Sequence, residues 1–356
     1  MLLVVNAGSS SVKLAVFDAD LREVLAGSVT EIGGAGRLKI GTVGQDCAVA
    51  DHQAALALAL KAMAAQGVGL GDLTAAAHRV VHGGEALVRP MRVTDAVIAG
   101  IEACVPLAPL HNPGNLTAIR ALQALASDLP QFVSFDTAFH ASNPAVAVTY
   151  ALPVAERARG LRRYGFHGIS YGGLVRHLQG LGALPERLLA LHLGNGASLC
   201  AIRGGVSVAT TMGYSPLDGI TMGTRTGGID GNAVLRLAEL HGIAGAGQIL
   251  NRESGLLGLG GYSDMRALHA AGTPEAAFAV EHFCYWAVRH AGSMIAAMGG
   301  LDAIAFTGGI GENDAMVRGQ IVRGLAWAGD APVHIVEAEE ERSIAVEALA
   351  LLRSGA

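Results

Sequence analysis

Apolar residues run together at the start of the chain as Leu2-Leu3-Val4-Val5, break at Asn6-Ala7-Gly8-Ser9-Ser10-Ser11, and resume as Val12-Lys13-Leu14-Ala15-Val16. The pattern returns past the midpoint as Leu188 to Leu193, the turn Gly194-Asn195-Gly196, and Ala197 to Ile202. Short apolar runs bounded by Gly, Ser and Asn predict β-hairpins over 1–17 and 188–209. Two such hairpins so far apart predict a duplicated domain with a cleft between the copies. Turns of small residues also let backbone N–H groups converge on an anion. The pattern therefore points to phosphate loops on a two-lobed phosphotransferase.

Between and beyond the hairpins the periodicity changes. Residues 24–44 read as further strands and turns, 52–66 as a helix, and 95–104 as a helix that stops before Pro106. A helix is expected from Asn115 to Ala126, started by Pro113-Gly114. Phe132 to Phe135 reads as a strand that delivers Asp136 at its end. The polar, arginine-rich stretch 145–165 is the expected domain connection, and His167 and Ser170 are expected just ahead of a helix of about ten residues. Thr210 to Gly231 reads as a long functional loop. A long helix spans Ala277 to Met298. The strand Ala303 to Phe306 then leads through Thr307-Gly308-Gly309-Ile310-Gly311-Glu312-Asn313 into another helix, a strand–glycine–helix order suited to an anion or nucleotide. The expected domains are 1–145, completed by a C-terminal helix over 341–356, and 146–340.

Composition narrows the class. With 356 residues, 51% of them hydrophobic and 15% charged, the chain has room for two packed cores. A net charge of -5 gives no support for a nucleic-acid or acidic-membrane partner. Lysine occurs only at 13, 39 and 61, which singles out Lys13 inside the first loop. Cys47, Cys104, Cys200 and Cys284 form neither a CxxC pair nor a zinc spacing and read as reduced thiols of a cytoplasmic protein. No stretch is long and apolar enough for a membrane span. GxxxxGK[ST] does not occur, which argues against a P-loop enzyme.

Eight motifs in order carry a family resemblance. They are Asn6 to Lys13, His78-Arg79-Val80-Val81-His82-Gly83-Gly84-Glu85, Leu107 to Pro113, Phe135-Asp136-Thr137-Ala138-Phe139-His140, Tyr164-Gly165-Phe166-His167-Gly168, His192 to Gly196, Met222-Gly223-Thr224-Arg225 and Gly309 to Asn313. Together they resemble the acetate kinases from residue 2 to about 325. The resemblance implies an α/β, duplicated ribonuclease-H-like fold of the actin/Hsp70/sugar-kinase superfamily, and the reaction ATP + acetate ⇌ ADP + acetyl phosphate.

It also implies roles. Arg79 and Arg225 would bind the acyl carboxylate and the equatorial phosphoryl oxygens, a task suited to forked guanidinium donors. His167 would donate a hydrogen bond to the transferring phosphoryl group, and Asp136 would place Arg79 and the metal. Mg2+, or Mn2+ in its stead, would lie near Asn6. Ser9, Ser11 and Lys13 match one phosphate loop, and His192, Gly194, Asn195 and Gly196 the other. Asp264, Met265 and Arg266, with Gly309, Ile310, Gly311 and Asn313, match the adenosine pocket, and Val81, Leu110, Phe166 and Pro216 the acyl pocket. The family is usually homodimeric. Taken singly, Arg79 would read as an ion-pair partner, Asp136 as a turn cap and His167 as a core histidine.

The chain departs from the family pattern in three places. Glu337 to Arg342 replaces the usual C-terminal acidic motif, and alignment through Ile344-Ala345 puts Glu340 on the metal position. Asp230-Gly231 replaces Asp-Pro. Ile169 and Tyr171 differ from the common residues after His167. A small apolar acyl pocket leaves propionate open as the substrate, because one methylene is worth only ~1–3 kcal/mol of discrimination. A nucleotide-gated clamp of the same superfamily is the reading from another class.

Overall fold

The computed structural model describes residues 1–8 and 10–355, and Ser9 of the first phosphate loop lies outside them. The chain divides into two compact units, Met1–Phe139 with Glu339–Ala356, and His140–Ala338.

The first unit is built on a sheet of eight strands: β1 (Leu2–Ala7), β2 (Val12–Phe17), β3 (Glu23–Thr30), β4 (Gly36–Ile40), β5 (Val43–Cys47), β6 (Ala75–Val80), β7 (Met91–Arg92) and β8 (Gln131–Phe135). Their order is β5-β4-β3-β2-β1-β6-β8-β7. All six residues of β1 are buried, as expected of a strand covered on both faces. Leu3, Val5 and Ala7 share a core with Leu56, Ala59 and Met63 of the helix His52–Ala65 and with Ala118 and Leu122 of the helix Asn112–Leu125. The C-terminal helix Glu340–Ser354 packs on β1, β6 and β8. It buries Ile344, Ala345 and Ala348. The helix expected from Asn115 begins at Asn112 instead, because Pro113 is tolerated in a first turn, where its missing N–H would have no partner.

The second unit repeats the plan with β9 (Arg187–Leu193), β10 (Ala197–Arg203), β11 (Val206–Thr210), β12 (Ala303–Thr307) and β13 (Val333–Ile335), in the order β11-β10-β9-β12-β13. The succession β3-β2-β1-β6-β8 is the same path: an antiparallel meander whose first strand pairs in parallel with the fourth. Val5 lies opposite His78, and Leu191 opposite Phe306, at equivalent points of the two parallel pairs. This is a duplicated ribonuclease-H-like fold. The helix Pro274–Met298, capped by Thr273 and stopped by Gly299 in the left-handed region, covers β9, β10 and β11. The stretch 145–165 holds two four-residue helices, Ala145–Val148 and Val154–Arg157. The helix expected after Ser170 spans Gly168–Gly180 and contains that serine. No helix of the described residues is long and apolar enough to cross a membrane.

Candidate active site

In the first unit the parallel strands carry polar residues to their C-terminal ends. Arg79 is the penultimate residue of β6 and Asp136 follows β8. Arg79 Nε reaches both Asp136 oxygens at 3.1 Å, Nη2 donates to Oδ2 at 2.6 Å, and Nη1 donates to Asn6 Oδ1 at 3.1 Å. Asn6 Nδ2 in turn donates to Glu341 Oε1 at 2.9 Å. The chain Asp136–Arg79–Asn6–Glu341 thus joins β8, β6, β1 and the C-terminal helix. Burial works against the Arg79 charge, but Asp136, Glu340 and Glu341 outweigh it and raise its pKa. Burial, with the charges of Asp136 and Glu341, pushes the Glu340 carboxyl up to about 7, against the pull of Arg79 and Lys13. Glu341 is a residue that the sequence reading missed.

Two buried asparagines brace this end of the sheet. Asn115 accepts from the Val81 amide at 3.1 Å and donates to the Ala7 carbonyl at 2.7 Å, while Asn112 accepts from the His82 amide at 3.1 Å. Val81 is buried and Leu110 is exposed. In the first loop the Gly8 amide donates to the Ser11 carbonyl at 2.7 Å, the Gly8 carbonyl pairs with His52 Nε2 at 2.7 Å, and Lys13 is exposed on β2.

In the second unit His167 holds left-handed backbone angles, φ 60° and ψ 20°, at the head of the helix Gly168–Gly180. A non-glycine residue there is uncommon and is held by its surroundings. Its ring stacks on His192, with centroids 4.1 Å apart and planes 25° apart. His167 Nδ1 pairs with Ser198 Oγ at 2.9 Å, and His192 Nδ1 with Ser170 Oγ at 2.9 Å. Above the β9–β10 turn, a Cβ on Gly196 would stand 3.2 Å from His167 Nε2 and 3.6 Å from Arg225 Nη1. Glycine keeps that space open. Arg225 is anchored by Nη1 donating to the Pro216 carbonyl at 2.8 Å. Phe166 is fully buried, with its carbonyl 2.8 Å from His140 Nε2.

A cavity of about 1010 Å3 opens in the same unit, lined among others by Asn195, Asp264, Arg266, Gly309, Ile310 and Asn313. Asp264 caps the helix Met265–Ala271 and pairs with Arg266 at 2.9 Å. The Arg266 hydrogen bond, with backbone donors, holds the Asp264 carboxyl down at about 2. The Met265 side chain is buried. Asn313 Nδ2 donates to the Gly309 carbonyl at 2.9 Å. Gly308 has φ 78° and lies against the Leu193 backbone, and Gly311 is buried in the same turn.

Within the first unit, then, Asn6, Arg79, Asp136 and Glu340 form one cluster. Within the second, His167, His192, Gly196 and Arg225 form another, and the residues expected at an adenosine pocket, Gly311 excepted, line one cavity. A ribonuclease-H-like pair carrying small-residue loops and clustered arginine, histidine and carboxylate groups defines a kinase of the actin/Hsp70/sugar-kinase superfamily. An acetate kinase from Nitrobacter hamburgensis is 42% identical over an alignment of 390 residues that takes in 99% of this chain and 96% of that protein. The chain belongs to the acetokinase family, whose model matches residues 1–345. Among solved structures, an acetate kinase from Porphyromonas gingivalis superposes with a TM-score of 0.90 at 33% identity, covering 99% of each chain. A propionate kinase from Francisella tularensis superposes with a TM-score of 0.92 at 32% identity, covering 97% of this chain and 98% of that one.

Proposed function

We propose that this chain transfers the terminal phosphoryl group of ATP to acetate, giving ADP and acetyl phosphate, and that it also runs the reverse reaction. The observation that carries the reading is the fixed guanidinium of Arg79. Asp136 and Asn6 engage Nε and one N–H of each terminal nitrogen. Of the five N–H groups of an arginine, two remain to grip a carboxylate. The reading assigns the acid to Arg79 with Val81 in the first unit, and the nucleotide and phosphoryl group to the loops, His167, Arg225 and the Asp264 cavity in the second.

Little covalent chemistry falls to the protein in such a transfer, which is mainly positioning and charge neutralisation. Arg79 and Arg225 hold oxygen atoms in place. His167 Nε2, over Gly196, donates to the phosphoryl oxygens. The glycine-lined turns bring backbone N–H groups to the phosphates. The reading also assigns Leu110, Phe166 and Pro216 to the acyl group.

Mg2+ fits the donor set of the first unit. Asn6, Glu340 and Glu341 would turn side-chain oxygens to the ion, and a carboxyl pushed up to about 7 by burial and by its acidic neighbours would regain its charge beside a cation. Among the described residues no three His, Cys, Asp or Glu side chains gather as a ready cage. Mg2+ commonly takes one or two carboxylates and otherwise water and phosphate. When bound, Mg2+ supplies charge neutralisation at the phosphates.

Exposed Phe278 and Tyr285 on the helix Pro274–Met298 support a homodimer built on that face. Four free cysteines, three of them buried, support a reducing, cytoplasmic setting. The second reading is propionate as the preferred acid, favoured by the likeness to the Francisella tularensis propionate kinase. A hydroxamate assay with Mg·ATP and acetate, propionate or butyrate tests both. The highest signal is expected with acetate, and no signal with any acid from the folded protein would end the kinase reading.

A further inference from the structure

Tyr171 lies one helical turn after His167 and is fully buried. Its hydroxyl stands 2.8 Å from the Ser198 carbonyl and 2.7 Å from Ser198 Oγ. Ser198 Oγ stands 2.9 Å from His167 Nδ1. Counting protons along this line favours one arrangement of them. A carbonyl oxygen only accepts, and two oxygens at such a distance need a proton between them. The single phenolic proton therefore goes to the Ser198 carbonyl. The contact between the two hydroxyls must then use the serine proton, with Tyr171 accepting. Ser198 Oγ has no proton left for His167, so the proton between them belongs to Nδ1.

Resting on the kinase reading above, we propose that Tyr171 and Ser198 are positioning residues that hold the neutral His167 ring in its Nδ1–H form, so that Nε2 donates to the phosphoryl group only as the imidazolium. A neutral imidazole carries one N–H, and this line of hydrogen bonds places it on the side away from Gly196. The cation meets the transferring group with a full charge as well as a donor, and a charge-assisted hydrogen bond is roughly twice as strong as a neutral one.

The neighbours of this line keep its protons in place. Burial raises the Tyr171 phenol well above its ordinary value and pushes the Cys200 thiol up to about 12. The His140 ring, edge-on to Tyr171 at 5.8 Å, is held down at about 4 by burial. Charged or titratable groups of this unit at the His167 ring include His192, stacked on it, and Arg225, which converges on Gly196. In a pH profile, His192 is separated from His167 by reading each ring directly.

The test is NMR of the full-length chain with 15N-labelled histidine rings, His167 being assigned by its loss in His167→Asn. Above its pKa the His167 ring should show a protonated Nδ1 and a bare Nε2. In Tyr171→Phe the serine hydroxyl is released and can turn to donate to Nδ1, so the neutral ring should shift toward Nε2–H. In kinetics, wild-type kcat should fall tenfold per pH unit above the His167 pKa, and Tyr171→Phe should flatten or displace that limb. Should Tyr171→Phe not fold, Ser198→Ala is read in the same way. An Nε2–H ring in the wild type, or a tautomer and a profile unmoved by the substitutions, would overturn the proposal. An Nδ1–H ring in a folded chain that forms no acyl phosphate would instead end the kinase reading and the role of the imidazolium, and leave the tautomer standing.

Discussion

Arg79 and Asp136, both at the C-terminal ends of parallel strands, meet side-on: three donor contacts of 2.6–3.1 Å link one guanidinium to one carboxylate that is almost fully buried. Removing one partner of a buried pair leaves the other charge uncompensated and costs about 3–5 kcal/mol. Asp136→Ala should therefore lower the urea midpoint markedly and, by releasing Arg79, reduce kcat by about 100-fold or more. Asp136→Asn, which keeps the shape, should lose activity with a smaller loss of stability. Near-normal kcat in both variants would remove Asp136 from the site.

Glu340 and Glu341 are the carboxylates proposed to face the metal. Each Gln variant should raise the Mg2+ concentration needed for half-maximal rate by about 10–100-fold, with the KM for acetate little changed. The check is Mg2+ titration at fixed ATP. If neither variant moves the midpoint, the metal is held elsewhere.

Stability should fall in mild acid for an identifiable reason. Burial lowers His78, His82 and His140 each to about 4. An unfolded histidine takes up its proton near 6.5, so between these values the unfolded chain binds protons that the native chain refuses. Stability is then fully present above about pH 6.5 and is lost as pH falls toward 4, by on the order of 3 kcal/mol per histidine at most. Urea melts at pH 7.5, 6 and 5 check the slope, and His78→Gln, at the Gln131 contact of 2.7 Å, should make it shallower. A flat profile would show that these rings protonate in the native fold.

Val81 is buried beside the end of β6. If it lines the acyl pocket, Val81→Ala should raise the propionate-to-acetate ratio of kcat/KM by about tenfold. An unchanged ratio would place the acid elsewhere.

Tyr285 is 61% exposed in the single chain, and a buried charge at a dimer interface is costly. Tyr285→Glu should shift the mass measured by light scattering from dimer to monomer. A wild-type chain that is already a monomer would remove the dimer proposal.

The sequence was most legible where periodicity and punctuation agree. The two hairpins, the strand ahead of Asp136 and the long helix ending at Met298 could all be read from it. Boundaries shifted where a local rule competed: Pro113 suits a first turn, so Asn112 begins its helix, and the left-handed His167 starts a helix that includes Ser170. In the acidic run Glu339 to Glu341, composition leaves the register open. Successive helical residues point ~100° apart, and it is Glu341 that contacts Asn6. The pairing of Tyr171 with Ser198, 27 residues apart, leaves no sequence signal, because it arises from a helix packing onto a strand pair.

The C-terminal helix, which lies on β1, β6 and β8, ties the order of synthesis to the order of assembly. The ribosome makes the eight strands of the first sheet early, then all of residues 140–338, and only afterwards the segment that covers that sheet and brings Glu341 to Asn6. At ~5–20 residues per second the nascent first unit waits roughly 10–40 s with one face uncovered. The second unit, whose segments are contiguous, can close first, so the part of the chain that emerges earliest is the last to be finished.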